Sequence, residues 1–197
     1  MNDTILWYAT RGAGTVSLLL LTAVVCLGMV TSLKWQSRAT PLFLSVNLHR
    51  NLSLLSVVFL ALHIVTAVVD PFAHLGIIAA LVPFSSYYRT FWLGLGVVAF
   101  DLFLALILTS VFRARVGQRT WRMVHWLAYA MWPIAVLHGI GTGTDSAAPW
   151  MIGVDALCLM LVAAAVTWRV SARPKATSSA TTTNVATAIG PIPELRP

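Results

Sequence analysis

Charge is scarce in this sequence. Only 10% of its 197 residues are Asp, Glu, Lys or Arg, while 58% are hydrophobic; a soluble globular domain averages roughly 25% charged residues. A chain with so few charges has to turn most of its surface toward lipid. Acidic residues are scarcer still, six against thirteen Lys and Arg. They form no carboxylate cluster, no nucleophile stands beside a base, and no phosphate-binding loop is present, so hydrolytic and phosphoryl chemistry are excluded. Gly94-Leu95-Gly96-Val97-Val98-Ala99 fits the letters of a dinucleotide fingerprint. It lies inside an apolar run with no strand before it and is a coincidence; Gly94 and Gly96 are better suited to close helix or cofactor approach. Cysteine is nearly absent. Cys26 and Cys158 both sit within apolar runs, without the spacing of a disulfide or metal pair, and read as small buried hydrophobes.

What is present is a series of long apolar runs. Gly12 to Leu33, Asn51 to Val69 and Met123 to Thr144 carry no formal charge, while Thr90 to Phe112 and Ser146 to Trp168 are interrupted only by Asp101 and Asp155. Each is near the roughly 20 residues a helix needs to cross about 30 Å of hydrocarbon. Barrel strands would alternate polar with apolar, and these runs do not. The expected fold is all-α: a polytopic membrane bundle with spans at about Gly14–Leu33, Pro41–Val69, Phe91–Phe112, Trp121–Gly139 and Pro149–Val170. Thr40 before Pro41 supplies a helix start. Leu75 to Phe84 is too short to span and reads as an interfacial or re-entrant helix. The first run is longer than a signal-peptide core and no small-residue cleavage site follows, so it reads as a retained helix.

The net charge of +7 is distributed by loop. Lys34, Arg38 and Arg50 flank the first loop, Arg113, Arg115, Arg119 and Arg122 crowd the third, and Arg169, Arg173 and Lys175 follow the last span. Arg11 and Arg89 alone stand on the other side, with Asp3, Asp70 and Asp145. This positive-inside asymmetry predicts the inner (cytoplasmic) membrane, N-terminus outside and C-terminus cytoplasmic. It accounts for the basic surplus without nucleic acid. The expected domains are a transmembrane unit over 1–170 and a cytoplasmic tail over 171–197, whose Ala/Thr/Ser/Pro composition predicts disorder.

Four of the five histidines fall on two spans that run in the same direction. His49 and His63 are 14 residues apart on the second span; at about 100° and 1.5 Å per residue they share one face, roughly 40° apart in azimuth and about 21 Å apart along the axis. His125 and His138 are 13 apart on the fourth span, a rise of about 19.5 Å. His49 and His125 therefore share an inner level, and His63 and His138 an outer one. Two facing imidazoles make a bis-histidine axial site for haem iron, and two levels make two sites. Thirteen residues turn an ideal helix by about 220°, which would put His125 and His138 on different faces; Pro133 between them offers a kink or local rewinding. A zinc or proton-relay site would place histidines at i, i+3 or i, i+4, or beside carboxylates.

The pairs His49/His63 and His125/His138, with His49-Arg50-Asn51, Trp121-Arg122-Met123-Val124-His125-Trp126 and Leu137-His138-Gly139 around them, resemble the ferric reductase-like transmembrane domain. That superfamily includes NADPH oxidases, ferric reductases and the membrane subunit of periplasmic methionine sulfoxide reductase. The resemblance covers about Thr10 to Val170. It implies that these four histidines ligate two b-type haems in the membrane electron-transfer subunit of an oxidoreductase that needs a separate donor. The larger members carry a C-terminal flavin and nicotinamide domain, and six spans are common where five are counted here. Flavin is therefore expected on a partner protein, with a cytoplasmic flavoprotein or the quinone pool as donor and a periplasmic or extracellular acceptor or partner.

Among other candidates, His74 is expected in an exposed loop. Arg50, Arg89 and Arg122 serve as interfacial anchors or propionate partners, Met131 and Trp132 as packing between the two levels, and Asp101 as a buried polar group in the third span. Two further functions stay open. A haem-b anchor of a periplasmic reductase would co-purify with a soluble partner. A haem-free transporter or metal-binding membrane protein would show no Soret band.

Overall fold

The computed structural model describes residues 3–33, 42–71 and 75–171. The expected cytoplasmic tail, His74, Lys34, Arg38 and the Thr40–Pro41 helix start lie outside the described residues. Among the described residues there is no strand, and five helices are long and apolar enough to cross a membrane. The spans are α1 (Asp3–Ser32), α2 (Leu42–Val69), α4 (Thr90–Val111), α6 with α7 (Gln118–His125 and Ala128–Thr142), and α8 (Pro149–Ser171). Between them lie α3 (Ile77–Leu81) and α5 (Arg113–Val116), both too short to span. The chain is an all-α, multi-pass membrane bundle as its apolar runs predict. α1 begins about three turns before the expected Gly14, because Ile5, Leu6, Trp7 and Tyr8 extend its apolar stretch, with Leu6 and Ala13 buried against the bundle.

Large apolar side chains on α2 such as Leu54, Val58 and Val65 are exposed on the bundle surface. In a membrane that surface is solvated by lipid tails, and the core needs to hold only the residues that pack helix on helix. The core joins Leu18, Leu21, Val25 and Met29 of α1 to Ala99, Phe103 and Leu106 of α4, Met131, Trp132 and Val136 of α7, and Cys158 of α8. Met131 and Trp132 are thus packing residues, as expected, and both cysteines are free. Asp101 is exposed on the outer surface of α4, whereas Asp155 of α8 is buried. Apolar runs set the length of a span but say little about which way one polar residue on it points.

At one end of the bundle Arg11 of α1 pairs with Asp145 at 2.5 Å and bonds Thr144, tying α1 to the α7–α8 loop. The pair is partly open to solvent, and such pairs contribute about 0–1 kcal/mol. A buried hydrogen bond holds the middle more firmly. Trp132 Nε1–H donates to Thr22 Oγ1 at 2.9 Å, and that hydroxyl donates to the Leu18 carbonyl at 2.8 Å. Thr22→Val should strand the indole N–H and cost about 1–3 kcal/mol. Denaturation in detergent should show the loss, and adding Trp132→Phe in the same chain should recover most of it.

Candidate functional site

α2 packs on α1, and α7 packs on α4, but α2 and α7 are not a packed pair. Across the slot between α2 and the α6–α7 span the four histidines meet two by two. The rings of His49 and His125 stand 6.3 Å apart centre to centre, at 61°. Those of His63 and His138 stand 6.4 Å apart, at 78°. An imidazole nitrogen binds a transition metal at about 2.0 Å, and the ring adds about 1.1 Å from nitrogen to centre, so two imidazoles trans on one ion stand roughly 6.2 Å apart. Both levels have that spacing. Among the described residues no three His, Cys, Asp or Glu side chains converge on a metal-binding point. Each level therefore offers two ligands, where a structural zinc takes four from protein and a catalytic zinc three.

The 13-residue spacing is reconciled by a break in the fourth span. It lies at Trp126–Leu127, between α6 and α7, rather than at Pro133, which sits inside α7. Trp126 donates to Met123, Leu127 to Val124, Tyr129 to Trp126 and Ala130 to Leu127, all i to i−3. Such 3₁₀ steps turn about 120° instead of 100°, so four of them after His125 add roughly 80° to an ideal helix that falls about 140° short of four turns. The residual of about 60° brings His125 and His138 to one side of the span, near the roughly 40° of the His49/His63 pair.

Glycines that the sequence reading had not connected to the histidines set three of the rings. A Cβ on Gly14 would stand 2.9 Å from His63, one on Gly28 3.4 Å from His49, and one on Gly96 2.5 Å from His138. In each case the imidazole Nδ1–H donates to the carbonyl four residues before that glycine: His63 to Thr10 at 2.8 Å, His49 to Val24 at 3.1 Å and His138 to Trp92 at 2.9 Å. That carbonyl already accepts a helical bond, and the missing side chain exposes its second lone pair. The result is a defined tautomer, with Nδ1 protonated and Nε2 free to coordinate. Gly14 and Gly28 are 14 residues apart on α1, the spacing of the histidines they face on the antiparallel α2. That match was the available signal.

His125 differs. Its Nδ1 is buried without a hydrogen-bond partner, and its ring stacks on Trp121 at 4.8 Å and 26°. Arg113 lies 4.2 Å over the same indole, whose Nε1–H donates to Ser110 Oγ at 3.3 Å. At the other level a cavity of about 290 Å³ opens beside His63 and His138, walled by Gly14, Gly96, Phe103 and Met131. Gly94 closes against Phe84, so both glycines of the false fingerprint serve close approach. Arg89 donates to the Gly141 carbonyl at 2.6 Å, while Arg50 and Arg122 are exposed.

The fold defines a multi-pass membrane protein that pairs four histidines at two levels, one above the other. Residues 13–136 match the family described as the ferric reductase like transmembrane component, and the chain belongs to that family. The match includes His49, His63 and His125 and ends two residues before His138. Family membership assigns a membrane oxidoreductase-type electron-transfer role. No curated protein and no solved structure matches the chain.

Proposed function

We propose that the chain is a cytochrome b that carries electrons across the inner (cytoplasmic) membrane through two b-type haems, one held by His49 and His125 and the other by His63 and His138. The observation that carries this reading is the repeated ring separation of 6.3 and 6.4 Å across a slot between two unpacked helices. A bound haem would supply the one-electron iron couple, and each level would hold it with two imidazoles. His49, His63 and His138 present Nε2 in a tautomer fixed by a backbone carbonyl. Gly14 and Gly96 leave room beside the rings of the second pair, and Phe103 and Met131 keep water from it. Helical rise separates the two levels by about 20 Å, so the bundle itself spaces the two redox sites.

The described arginines gather at the His49/His125 end, with Arg50, Arg113, Arg115, Arg119, Arg122 and Arg169 there against Arg11 and Arg89 at the other. That distribution supports placing the His49/His125 level near the cytoplasm and the N-terminus outside. Electrons then enter from a cytoplasmic flavoprotein or quinone and leave to an acceptor outside. The purified protein should show a Soret band, split α-band features of low-spin ferrous haem on reduction, and two haems per chain by extraction. A colourless, correctly folded protein would remove the proposal and leave a transporter or a simple metal-binding protein.

A further inference from the structure

We infer that the His49/His125 site is the higher-potential of the two, and that the α4 turn Leu106–Thr109, together with Trp121 and Arg113, are the positioning residues that make it so. The inference rests on the two-haem reading above. Three of the four histidines follow one construction, a glycine on the facing helix and an Nδ1–H bond to the carbonyl four residues before it. α4 pairs with the fourth span through Gly96 with His138 and Ser110 with Trp121. Carrying those pairings along the antiparallel helices puts His125 opposite Leu106–Thr109. That turn contains no glycine. Its carbonyl traffic is also occupied, since Thr109 Oγ1 donates to Ala105 at 2.7 Å and to Leu106 at 3.2 Å. His125 accordingly finds no acceptor and is held by its stack on Trp121.

The two levels therefore differ in chemistry. At the His63/His138 level both imidazoles donate to carbonyls, which raises their basicity and favours ferric iron. At the His49/His125 level only His49 does. Arg113, in contact with the indole that supports His125, adds a nearby positive charge that favours the less positive ferrous state. The two effects act in the same direction. A haem held by His49 and His125 would supply a one-electron couple there, with no bond made or broken and no proton required.

The test is a spectroelectrochemical titration of the full-length, haem-loaded protein in lipid nanodiscs. Two midpoints are expected, and His138→Leu, which empties the outer site, should retain the upper one. Thr109→Gly frees the Ala105 carbonyl and opens the notch. It should lower the upper midpoint enough to shift the ferric/ferrous ratio at least tenfold, which is 59 mV for a one-electron couple, and should leave the lower midpoint in place. Thr109→Ala frees the carbonyl but keeps a Cβ, and should not reproduce that shift. If Thr109→Gly does not assemble, Arg113→Gln at the exposed end of α5 gives a second reading, a fall in the upper midpoint only. Two bound haems with the upper midpoint lost in His138→Leu, or unmoved in both Thr109→Gly and Arg113→Gln, would overturn the inference. Fewer than two haems in the unaltered protein would instead bring down the reading on which it rests.

Discussion

Leucine at His138 or at His63 is expected to halve the haem bound per chain and to abolish electron transfer across the membrane. The two variants should give the same phenotype because the two rings act as one site. They stand 6.4 Å apart, and either alone leaves iron with a single protein ligand. Leucine is close to histidine in volume, and the carbonyls that the imidazoles lose, Thr10 and Trp92, remain satisfied by their own helical bonds. The bundle should therefore persist. The His49/His125 site lies about 20 Å away along the helix axes and shares no ligand with the vacated one. Haem extraction on detergent-purified protein should fall from two per chain to one, with the remaining low-spin spectrum intact. Loss of both haems from a folded protein, or retention of both, would contradict the assignment of ligands.

Spans and paired histidines were legible in the sequence for different physical reasons. A continuous apolar run has few ways to satisfy its backbone in lipid, so α1, α2, α4, α7 and α8 follow from composition alone. His49 and His63 were legible because 14 residues come close to four whole turns. His125 and His138 were legible only in depth. Their azimuth depends on the 3₁₀ steps around Trp126 and Leu127, where no glycine or proline marks the sequence. Pro133, the residue with an obvious capacity to disturb a helix, sits within α7 several residues further on. Asp101 and Asp155 show the complementary loss. Both interrupt apolar runs, yet Asp101 faces outward and Asp155 is buried. In lipid both faces of a helix are apolar, so the amphipathic pattern that would orient a soluble helix is missing.

Alanine scanning of the three facing glycines should give a graded loss that follows the room each one leaves. A Cβ on Gly96 would meet the His138 ring at 2.5 Å, closer than real Cβ contacts come, so the ring has to move off Trp92. Gly14→Ala places its Cβ 2.9 Å from His63, and Gly28→Ala only 3.4 Å from His49, which is ordinary contact. Removing an outer partner of a metal-bound histidine typically costs about 10–100-fold in affinity. Gly96→Ala should reach the upper part of that range for the outer haem, Gly14→Ala the lower part, and Gly28→Ala should bind the inner haem nearly as the unaltered chain does. Stability does not provide the same ordering. Alanine in a helix interior is favoured over glycine by about 0.8–1.0 kcal/mol, so each variant gains intrinsic helix propensity as its site is disturbed. Titrating haem into the apoprotein, with thermal unfolding of that apoprotein measured alongside, separates the two effects. A chain that loses outer haem while its apo form melts no lower has lost the placement of His138 rather than the fold. If Gly28→Ala proved as damaging as Gly96→Ala, the close approach of ring to glycine would not be what seats the histidines.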